Sequence, residues 1–162
     1  MERIVLLGRA GSGKTTLARN LSRIADLPVI CLDEIWQPGW SKQNVPDFRT
    51  LVREAHAGDR WVSDGNFAKS TFDIRLPRAT LIIWLEHPPL ACALRAIRRV
   101  CKPGGEHRVR GLADVFAYIW RFDRINRPLI EDEQLAWGPS IPVRTLRGTR
   151  EIAEFLRSCA SP

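Results

Sequence analysis

The chain has 162 residues, enough for one domain with a buried core, and its 44% apolar content excludes a disordered protein. No apolar run approaches the length of a membrane span, and the apolar stretch 4–7 is too short for a signal peptide, so we expect a cytoplasmic protein without membrane contacts. The net charge of +7 favours a polyanionic ligand, either a nucleotide or a nucleic acid. The four cysteines lack paired spacing and are expected to be free thiols.

The first element is a short apolar run at residues 3–7, which predicts a buried strand. Residues 8–15 follow with the sequence GRAGSGKT, which matches the phosphate-binding loop pattern G-x-x-x-x-G-K-[ST] at every position. A helical pattern with apolar Leu17, Leu21 and Ile24 comes next. Strand, glycine-rich loop and helix in this order predict a polyphosphate site at the start of the first helix.

The chemistry of this loop predicts an ATP-binding site that uses Mg²⁺. Its glycines let successive backbone N–H groups approach the phosphate oxygens. Lys14 would reach the β- and γ-phosphates and contribute to catalysis, and the Thr15 hydroxyl would hold the metal. The residues predicted to bind the nucleotide are Gly8, Ala10, Gly11, Ser12, Gly13, Lys14, Thr15 and Thr16.

Strands and helices continue to alternate along the rest of the chain. Further strands are predicted at residues 27–32, 60–63, 79–85 and 141–146. Further helices are predicted at residues 46–58, 69–75, 90–100, 112–133 and 151–159. The apolar strand 79–85 is expected at the centre of the sheet, Pro142 favours an edge position for the last strand, and Pro128 is expected to kink or end the long helix. The alternation predicts one α/β domain with a doubly wound parallel sheet.

Two aspartates follow predicted strands at the sheet edge where ligands bind in open α/β folds. Asp64 ends the third strand, where phosphoryl-transfer enzymes need an acid for Mg²⁺, although an aspartate here could instead cap a helix. Asp33 could bind a substrate hydroxyl, act as a general base, help to order Mg²⁺ or cap a helix. Trp36 and Trp40 could stack on a substrate ring or cover the sheet edge.

The chain resembles a group of small bacterial P-loop proteins over nearly its whole length. The features that carry this resemblance are the P-loop, Asp33, the fourth predicted strand, and the segments at residues 38–40, 64–67 and 72–77. The group is described as adenylate-kinase-like or as DNA topology modulation (FlaR-related) proteins, and more broadly the chain is similar to nucleoside monophosphate kinases. The resemblance implies a three-layer α/β/α P-loop fold over residues 1–162, with a five-stranded, mainly parallel sheet in the order 2-3-1-4-5.

The resemblance to the monophosphate kinases also implies roles for several arginines. In those kinases a proline after the fourth strand precedes two arginines, one helical turn apart, that flank the donor nucleotide. Pro88 is followed here by Arg95 and Arg99 in that register, and their spacing places both on one helix face.

A basic segment follows this helix. Residues 101–111 correspond to the lid of the monophosphate kinases and carry Arg108 and Arg110. The helix after the lid supplies a further arginine to the transferring phosphoryl group in those kinases, and Arg121 or Arg124 matches that place. Guanidinium groups suit this task because charge spreads over the phosphoryl oxygens in the transition state.

One departure from the monophosphate kinases concerns the phosphate acceptor. Those kinases carry an arginine soon after the Asp-Gly pair, whereas the chain has Asn-Phe-Ala-Lys at 66–69, which leaves Lys69 or Arg75 to hold an acceptor phosphate. Asp33 is instead similar to the acid that holds a substrate hydroxyl in small-metabolite kinases such as shikimate kinase.

These features together predict an ATP-dependent phosphotransferase that acts on a nucleotide or on another small acceptor. The chain would use ATP, Mg²⁺ and an unidentified acceptor, and it would be a monomer or a homodimer. The alternative is a nucleotide-binding regulatory ATPase associated with DNA topology. Nucleic acid is the less favoured partner, because the basic residues concentrate where the nucleotide should lie and the sequence contains no helix-turn-helix, zinc-finger or basic-arm signature.

Overall fold

A computed structural model describes residues 2–100 and 112–160 of the chain. Its centre is a five-stranded sheet in the order β2-β3-β1-β4-β5, in which all neighbouring strands are parallel. The strands are β1 (Arg3–Gly8), β2 (Val29–Cys31), β3 (Trp61–Asp64), β4 (Leu81–Glu86) and β5 (Val143–Arg147). The predicted fold class and strand order are therefore confirmed, as are the central place of β4 and the edge place of β5.

Eight α-helices surround the sheet in the described part of the chain. They are α1 (Lys14–Ala25), α2 (Leu32–Ile35), α3 (Val45–Ala55), α4 (Ala68–Arg75), α5 (Pro89–Val100), α6 (Leu112–Arg121), α7 (Arg127–Trp137) and α8 (Gly148–Ala160). Short 3₁₀ turns lie at Lys42–Asn44 and Leu76–Arg78. None of the helices in residues 2–100 and 112–160 has the length and apolar character needed to cross a membrane.

The long helix predicted at 112–133 is two helices, α6 and α7, joined by a π-helical turn at Phe122–Asn126. Pro128 occupies the first turn of α7, where its missing N–H removes no intrahelical hydrogen bond. The proline therefore marks the start of a new helix, as the sequence suggested. The predicted lid at 101–111, with Arg108 and Arg110, lies outside the described residues.

Each face of the sheet carries its own apolar core, because successive strand residues point to opposite faces. Val5 and Leu7 of β1 and Trp84 of β4 pack under α3, α4 and α7. On the other face, Ile4 and Leu6 pack against α1 and α8. Central strands covered on both faces explain why β1 and β4 are continuous apolar runs.

This packing brings the carboxyl ends of the strands together at one edge. Leu6 of β1 pairs with Asp64 of β3, and Cys31 of β2 pairs with the same aspartate on its other side. On the far side of β1, Gly8 pairs with Leu85 of β4. The sheet therefore places the P-loop between the ends of β3 and β4, while β2 lies one strand further away.

Candidate active site

The P-loop connects β1 to α1 in a backbone shape that only glycine adopts easily. Gly8, Gly11 and Gly13 have φ angles of 140°, 77° and 98°. A Cβ at Gly8 would lie 2.6 Å from the carbonyl oxygen of Leu85, and one at Gly11 would lie 2.3 Å from that of Cys92. The loop is thus pressed against β4 and α5, and larger residues would push it out of position.

The Lys14 side chain contacts the backbone of its own loop. Its ammonium group donates hydrogen bonds to the carbonyl oxygens of Gly8 at 2.8 Å and Arg9 at 3.0 Å. The side chain therefore folds back over the loop that precedes it, so its charge lies beside the backbone groups predicted to meet the phosphates.

Ser12 supplies the test of whether an anion fits this loop. Its side chain is 1% exposed, and its Oγ has no hydrogen-bond partner in the part of the chain that the structure describes. A buried hydroxyl without a partner is costly, and a phosphate oxygen would accept its hydrogen bond. The positive-φ glycines, the orphaned hydroxyl and the ammonium group of Lys14 fit a polyphosphate.

The two predicted metal residues meet at the other side of the loop. The Thr15 hydroxyl donates a hydrogen bond to the Asp64 carboxylate, with 2.5 Å between Oγ1 and Oδ2. Asp64 is 3% exposed, and its carboxylate faces Thr15. Within the described residues, no group of three or more His, Cys, Asp or Glu side chains is arranged to bind a metal. One hydroxyl and one carboxylate fit Mg²⁺, which takes its other oxygen ligands from phosphates and water.

Asn66 is a site residue that the sequence did not predict. Its Oδ1 accepts a hydrogen bond from the Gly8 N–H at 3.2 Å, and its Nδ2 donates to the Gly8 carbonyl at 2.9 Å. Nδ2 also donates to the Tyr118 hydroxyl of α6 at 2.9 Å. Asn66 therefore joins the first residue of the P-loop to the end of β3 and to the helix after residues 101–111. Its place directly after Asp-Gly was the only sequence signal for this role.

Arg9 is a second unpredicted contact of the P-loop. It is 6% exposed, donates to the His87 carbonyl at 3.1 Å and forms an ion pair with Asp123 in the π-helical turn. Its guanidinium also lies 5.5 Å from the centre of the Phe122 ring. The loop is therefore held from the β4 side as well as from the β3 side. Beside Arg9 is a cleft of about 390 Å³, a size typical of small-ligand sites.

The predicted nucleotide arginines lie on α5, next to the P-loop. Arg95 is half-buried, and its charge, after the larger effect of burial, lowers the pKa of His87 at the end of β4. Arg98 is exposed. Arg99 belongs to α5, but its side chain lies outside the described structure. The structure thus places Arg95 near the P-loop end of the sheet.

Arg121 and Arg124 are both exposed. Arg121 ends α6 and Arg124 lies in the π-helical turn, on either side of the Asp123 that contacts the P-loop arginine. Their backbone is therefore close to the P-loop, and their catalytic role stays a prediction.

The opposite side of the site is built around β2. Asp33 is exposed in the four-residue helix α2, in the second position after Cys31. Because Cys31 pairs with Asp64, Asp33 lies one strand away from the predicted metal site. Burial, and then the negative charge of Asp64, raises the pKa of Cys31 to about 11. The thiol is therefore protonated at neutral pH and leaves acid–base chemistry here to the carboxylates.

The tryptophans of the following loop pack against each other and against the core. The Trp36 ring lies 5.7 Å from the Trp40 ring and 5.2 Å from the Phe48 ring, both in edge-to-face contacts, and 6.1 Å from Phe67. Both tryptophans pack against the core on this face of the sheet. These contacts favour the interpretation that the tryptophans cover the sheet edge.

Arg75 corrects one sequence expectation. It was a candidate for holding an acceptor phosphate, but its side chain is 0% exposed and its guanidinium is hydrogen-bonded to neighbouring protein oxygens. A phosphate in the site cannot reach it without opening the core. Lys69, the other candidate, is exposed on α4.

Comparisons with known proteins agree with this fold. No family model matches the chain. Over 33 residues the chain is 58% identical to the shikimate kinase of Flavobacterium johnsoniae, and this stretch spans 20% of the chain and only 19% of that enzyme.

Solved structures match over almost the whole chain. A shikimate kinase from Acinetobacter baumannii in complex with shikimate has a TM-score of 0.61 and 19% identity, covering 98% of this chain and 90% of that one. A shikimate kinase from Bacteroides thetaiotaomicron has a TM-score of 0.63 and 18% identity, covering 97% and 95%. A gluconokinase from Sinorhizobium meliloti 1021 has a TM-score of 0.55 and 15% identity, covering 98% and 89%. At these identities the comparisons establish the P-loop kinase fold, and they do not support the narrower resemblance to DNA topology modulation proteins.

Proposed function

We propose that this chain, which has the P-loop kinase fold, is an ATP-dependent phosphotransferase that transfers the γ-phosphoryl group to a hydroxyl of a small metabolite. The observation that carries the proposal is the meeting of Lys14, Thr15 and Asp64 around one loop. Phosphoryl transfer needs little covalent chemistry from the protein, and a kinase acts mainly by positioning groups and stabilising charge. These three residues supply both.

On the donor side, the backbone N–H groups of the P-loop and the Ser12 hydroxyl bind the phosphate oxygens. The Lys14 ammonium, which lies over the loop carbonyls of Gly8 and Arg9, contacts the β- and γ-phosphates. Thr15 and Asp64 hold Mg²⁺, which when bound neutralises charge on the phosphates. The cleft beside Arg9 offers space for the part of ATP that the loop does not hold.

On the acceptor side, Asp33 accepts a hydrogen bond from the acceptor hydroxyl and takes its proton as the phosphoryl group transfers. Burial removes Arg75 as a ligand for an acceptor phosphate, which favours a hydroxyl-bearing metabolite over a nucleoside monophosphate. The structural relatives are named as shikimate kinases and a gluconokinase, which supports the same class of acceptor.

Arginines stabilise the charge that develops during transfer. Arg95 and Arg99 on α5 flank the donor nucleotide, while Arg121 and Arg124 approach the transferring phosphoryl group from the helix after residues 101–111. A guanidinium is suited to this because its forked donors match phosphoryl oxygens.

A nucleotide-binding regulator that contacts DNA is the weaker alternative. The fold is shared with metabolite kinases, and several arginines, including Arg9, Arg49 and Arg127, form ion pairs with carboxylates of the same chain instead of facing an outside polyanion. We therefore propose that the excess positive charge of the protein serves to bind a nucleotide and not DNA.

The test combines binding with an acceptor screen. Thermal unfolding with ATP and Mg²⁺ reports donor binding, and ADP release in the presence of polyols, hydroxy acids, sugars and nucleoside monophosphates reports transfer. We expect one hydroxyl-bearing metabolite to raise ADP release, and the Lys14→Ala variant to abolish the increase. If no acceptor raises turnover while duplex DNA binds with a steep salt dependence, the kinase proposal is wrong.

A further inference from the structure

Arg75 is a buried cation whose hydrogen bonds within the described residues all go to neutral oxygens. Its Nε donates to Thr71 Oγ1 at 2.9 Å, and its two terminal nitrogens donate to Ser63 Oγ at 3.0 Å and to the carbonyl oxygens of Gly65 at 3.0 Å and Asn66 at 2.6 Å. Its guanidinium also lies 5.1 Å from the centre of the Phe72 ring. Every contact is made inside the core, and the side chain is 0% exposed.

Burial of a cation without a carboxylate in contact is costly. Desolvation lowers the pKa of Arg75 to about 9, and the negative charge of Asp64 opposes this shift. An apolar side chain would fill the same volume without that cost, so packing alone does not explain an arginine at this position. The reason for an arginine must therefore lie in the groups to which its N–H donors are hydrogen-bonded.

These donors point at the segment at the end of β3 that carries Asp64 and Asn66. Asp64 faces Thr15 on one side of the Gly65 carbonyl, and on the other side the Asn66 amide brackets Gly8 of the P-loop. Arg75 therefore hydrogen-bonds to the backbone between the Asp64 carboxylate, which is predicted to bind the metal, and the Asn66 side chain, which contacts the P-loop.

The backbone of this segment needs such support, because it includes one residue in an unfavourable conformation. Gly65 has φ 133°, which glycine adopts readily, and a Cβ there would lie 2.9 Å from the Leu32 Cβ. Phe67 has φ 33°, in the left-handed region that a bulky aromatic residue rarely adopts. Strained backbone persists only where surrounding contacts hold it, and the hydrogen bonds of Arg75 supply such contacts.

Two neutral side chains, His56 and Ser63, connect Arg75 to helix α3 through hydrogen bonds. The Nδ1 of His56 lies 2.7 Å from the Val52 carbonyl, which can only accept a hydrogen bond, so Nδ1 carries the proton. Burial lowers the pKa of His56 to about 4, so the ring is neutral at pH 7 and its Nε2 accepts a hydrogen bond from Ser63 Oγ at 2.9 Å. The Ser63 oxygen is then oriented to accept from Arg75. The Val52 carbonyl of α3 thereby determines which atom donates in each of the hydrogen bonds that link His56, Ser63 and Arg75.

We infer that Arg75 is a positioning residue for Mg²⁺-dependent nucleotide binding. By holding the carbonyls of Gly65 and Asn66, it sets the Asp64 carboxylate against Thr15 and the Asn66 amide against Gly8. The inference rests on the proposed function only in the assignment of Asp64 to Mg²⁺.

The test measures binding of ATP as a function of Mg²⁺ concentration by titration calorimetry, in wild type, Arg75→Met and Ser63→Ala. We expect the half-saturating Mg²⁺ concentration to rise about tenfold or more in Arg75→Met, because residues that support a metal ligand typically have effects of this size. Ser63→Ala removes one acceptor of Arg75 and should raise it by about threefold. ATP affinity measured in EDTA should change by less than about twofold, since the P-loop contacts of ATP remain.

The matched control is Arg78→Met. Arg78 also donates to backbone carbonyls, those of Ala57 and Gly58, but it does so at the surface and away from β3's carboxyl end. Its Mg²⁺ dependence should equal that of wild type. Arg75→Lys, which keeps the charge and part of the hydrogen bonding, should recover part of the loss.

A purely structural Arg75 would lower the melting temperature and leave the Mg²⁺ dependence of the folded protein unchanged, which would overturn the inference. If Arg75→Met does not fold, Ser63→Ala and Arg75→Lys decide it: Mg²⁺ dependence equal to wild type in both would overturn it too. ATP binding that ignores Mg²⁺ in wild type also overturns it. Tight Mg²⁺-dependent ATP binding without transfer to any acceptor would contradict the proposed function and leave the inference standing.

Discussion

The carboxyl ends of the strands form two regions, one around the P-loop and one around the end of β2. The two regions differ in how many contacts with the rest of the protein hold them in place. On the donor half, the P-loop is held by Asn66 just after β3, by Cys92 of α5 behind Gly11, and by the Arg9–Asp123 ion pair. On the half proposed for the acceptor, here called the acceptor half, Asp33 lies exposed on a helix of one turn, beside a loop whose tryptophans pack against the core.

This difference follows from what each half has to recognise. A polyphosphate presents the same oxygens in every nucleoside triphosphate, so backbone N–H groups in a fixed loop can bind it. An acceptor is distinguished by its shape and hydroxyl groups, which side chains must read. The donor half is therefore recognisable from a short motif, whereas the acceptor half depends on a few exposed side chains.

Lys14→Ala tests the donor half with the largest expected effect. Loss of the ammonium that we propose meets the phosphates should lower acceptor-dependent ADP release by about a thousandfold, as for removal of a group that stabilises transition-state charge. The Lys14 ammonium donates to the loop carbonyls of Gly8 and Arg9 and the side chain is only partly buried, so the melting temperature without nucleotide should change little. Lys42→Ala, an exposed lysine in the 3₁₀ turn, is the control. Equal activity of the two variants would remove Lys14 from the site.

Asp64→Asn tests the metal side of the same half, with a smaller expected loss of about a hundredfold in kcat at fixed Mg²⁺. Asparagine keeps an oxygen for the Thr15 hydroxyl, so the fold should survive while the charge proposed to hold Mg²⁺ is lost. Titration with EDTA should inactivate the variant at lower chelator concentration than wild type. Asp59→Asn, a surface aspartate before β3, should behave as wild type, and unchanged kinetics of Asp64→Asn would exclude a metal role.

The sequence predicted those parts of the fold and site that depend on local pattern. The P-loop motif predicts its own conformation, because glycines at Gly8 and Gly11 are required by the close approach of β4 and α5. Strand alternation and apolar runs predict the sheet, and the end of β3 predicts where Asp64 lies.

The contacts that sequence analysis missed join residues far apart in the chain. Asn66 reaches Gly8 and Tyr118, and Arg9 reaches Asp123, so each contact exists only once the strands and helices have packed together. Arg75 was misread for a related reason. As a basic residue after Asp-Gly it was one of two candidates to hold an acceptor phosphate, whereas α4 directs its side chain into the core.

Asp33→Asn tests the acceptor half. Loss of the carboxylate should lower kcat/KM for the acceptor by about a hundredfold, the low end for general-base catalysis, while ATP affinity stays within about twofold. The neighbouring Glu34→Gln is the control, because Glu34 is also an exposed carboxylate of α2. If ATP affinity fell as much as kcat/KM for the acceptor, Asp33 would belong to the donor half, and the assignment of the two halves to two substrates would be wrong. This measurement requires the acceptor found in the screen.

Arg95→Ala makes the finest test of the division, with the smallest expected effect. Arg95 is half-buried on α5, near His87 and the Cys92 that contacts the P-loop, so it should contact ATP and not the acceptor. We expect KM for ATP to rise about fivefold, as for loss of one partly exposed ionic contact, with KM for the acceptor unchanged. Arg98→Ala removes an exposed arginine of the same helix and should leave both constants unchanged. A rise in the acceptor KM alone would assign α5 to the acceptor half, because the ionic interaction of a guanidinium is strongest with the ligand it contacts.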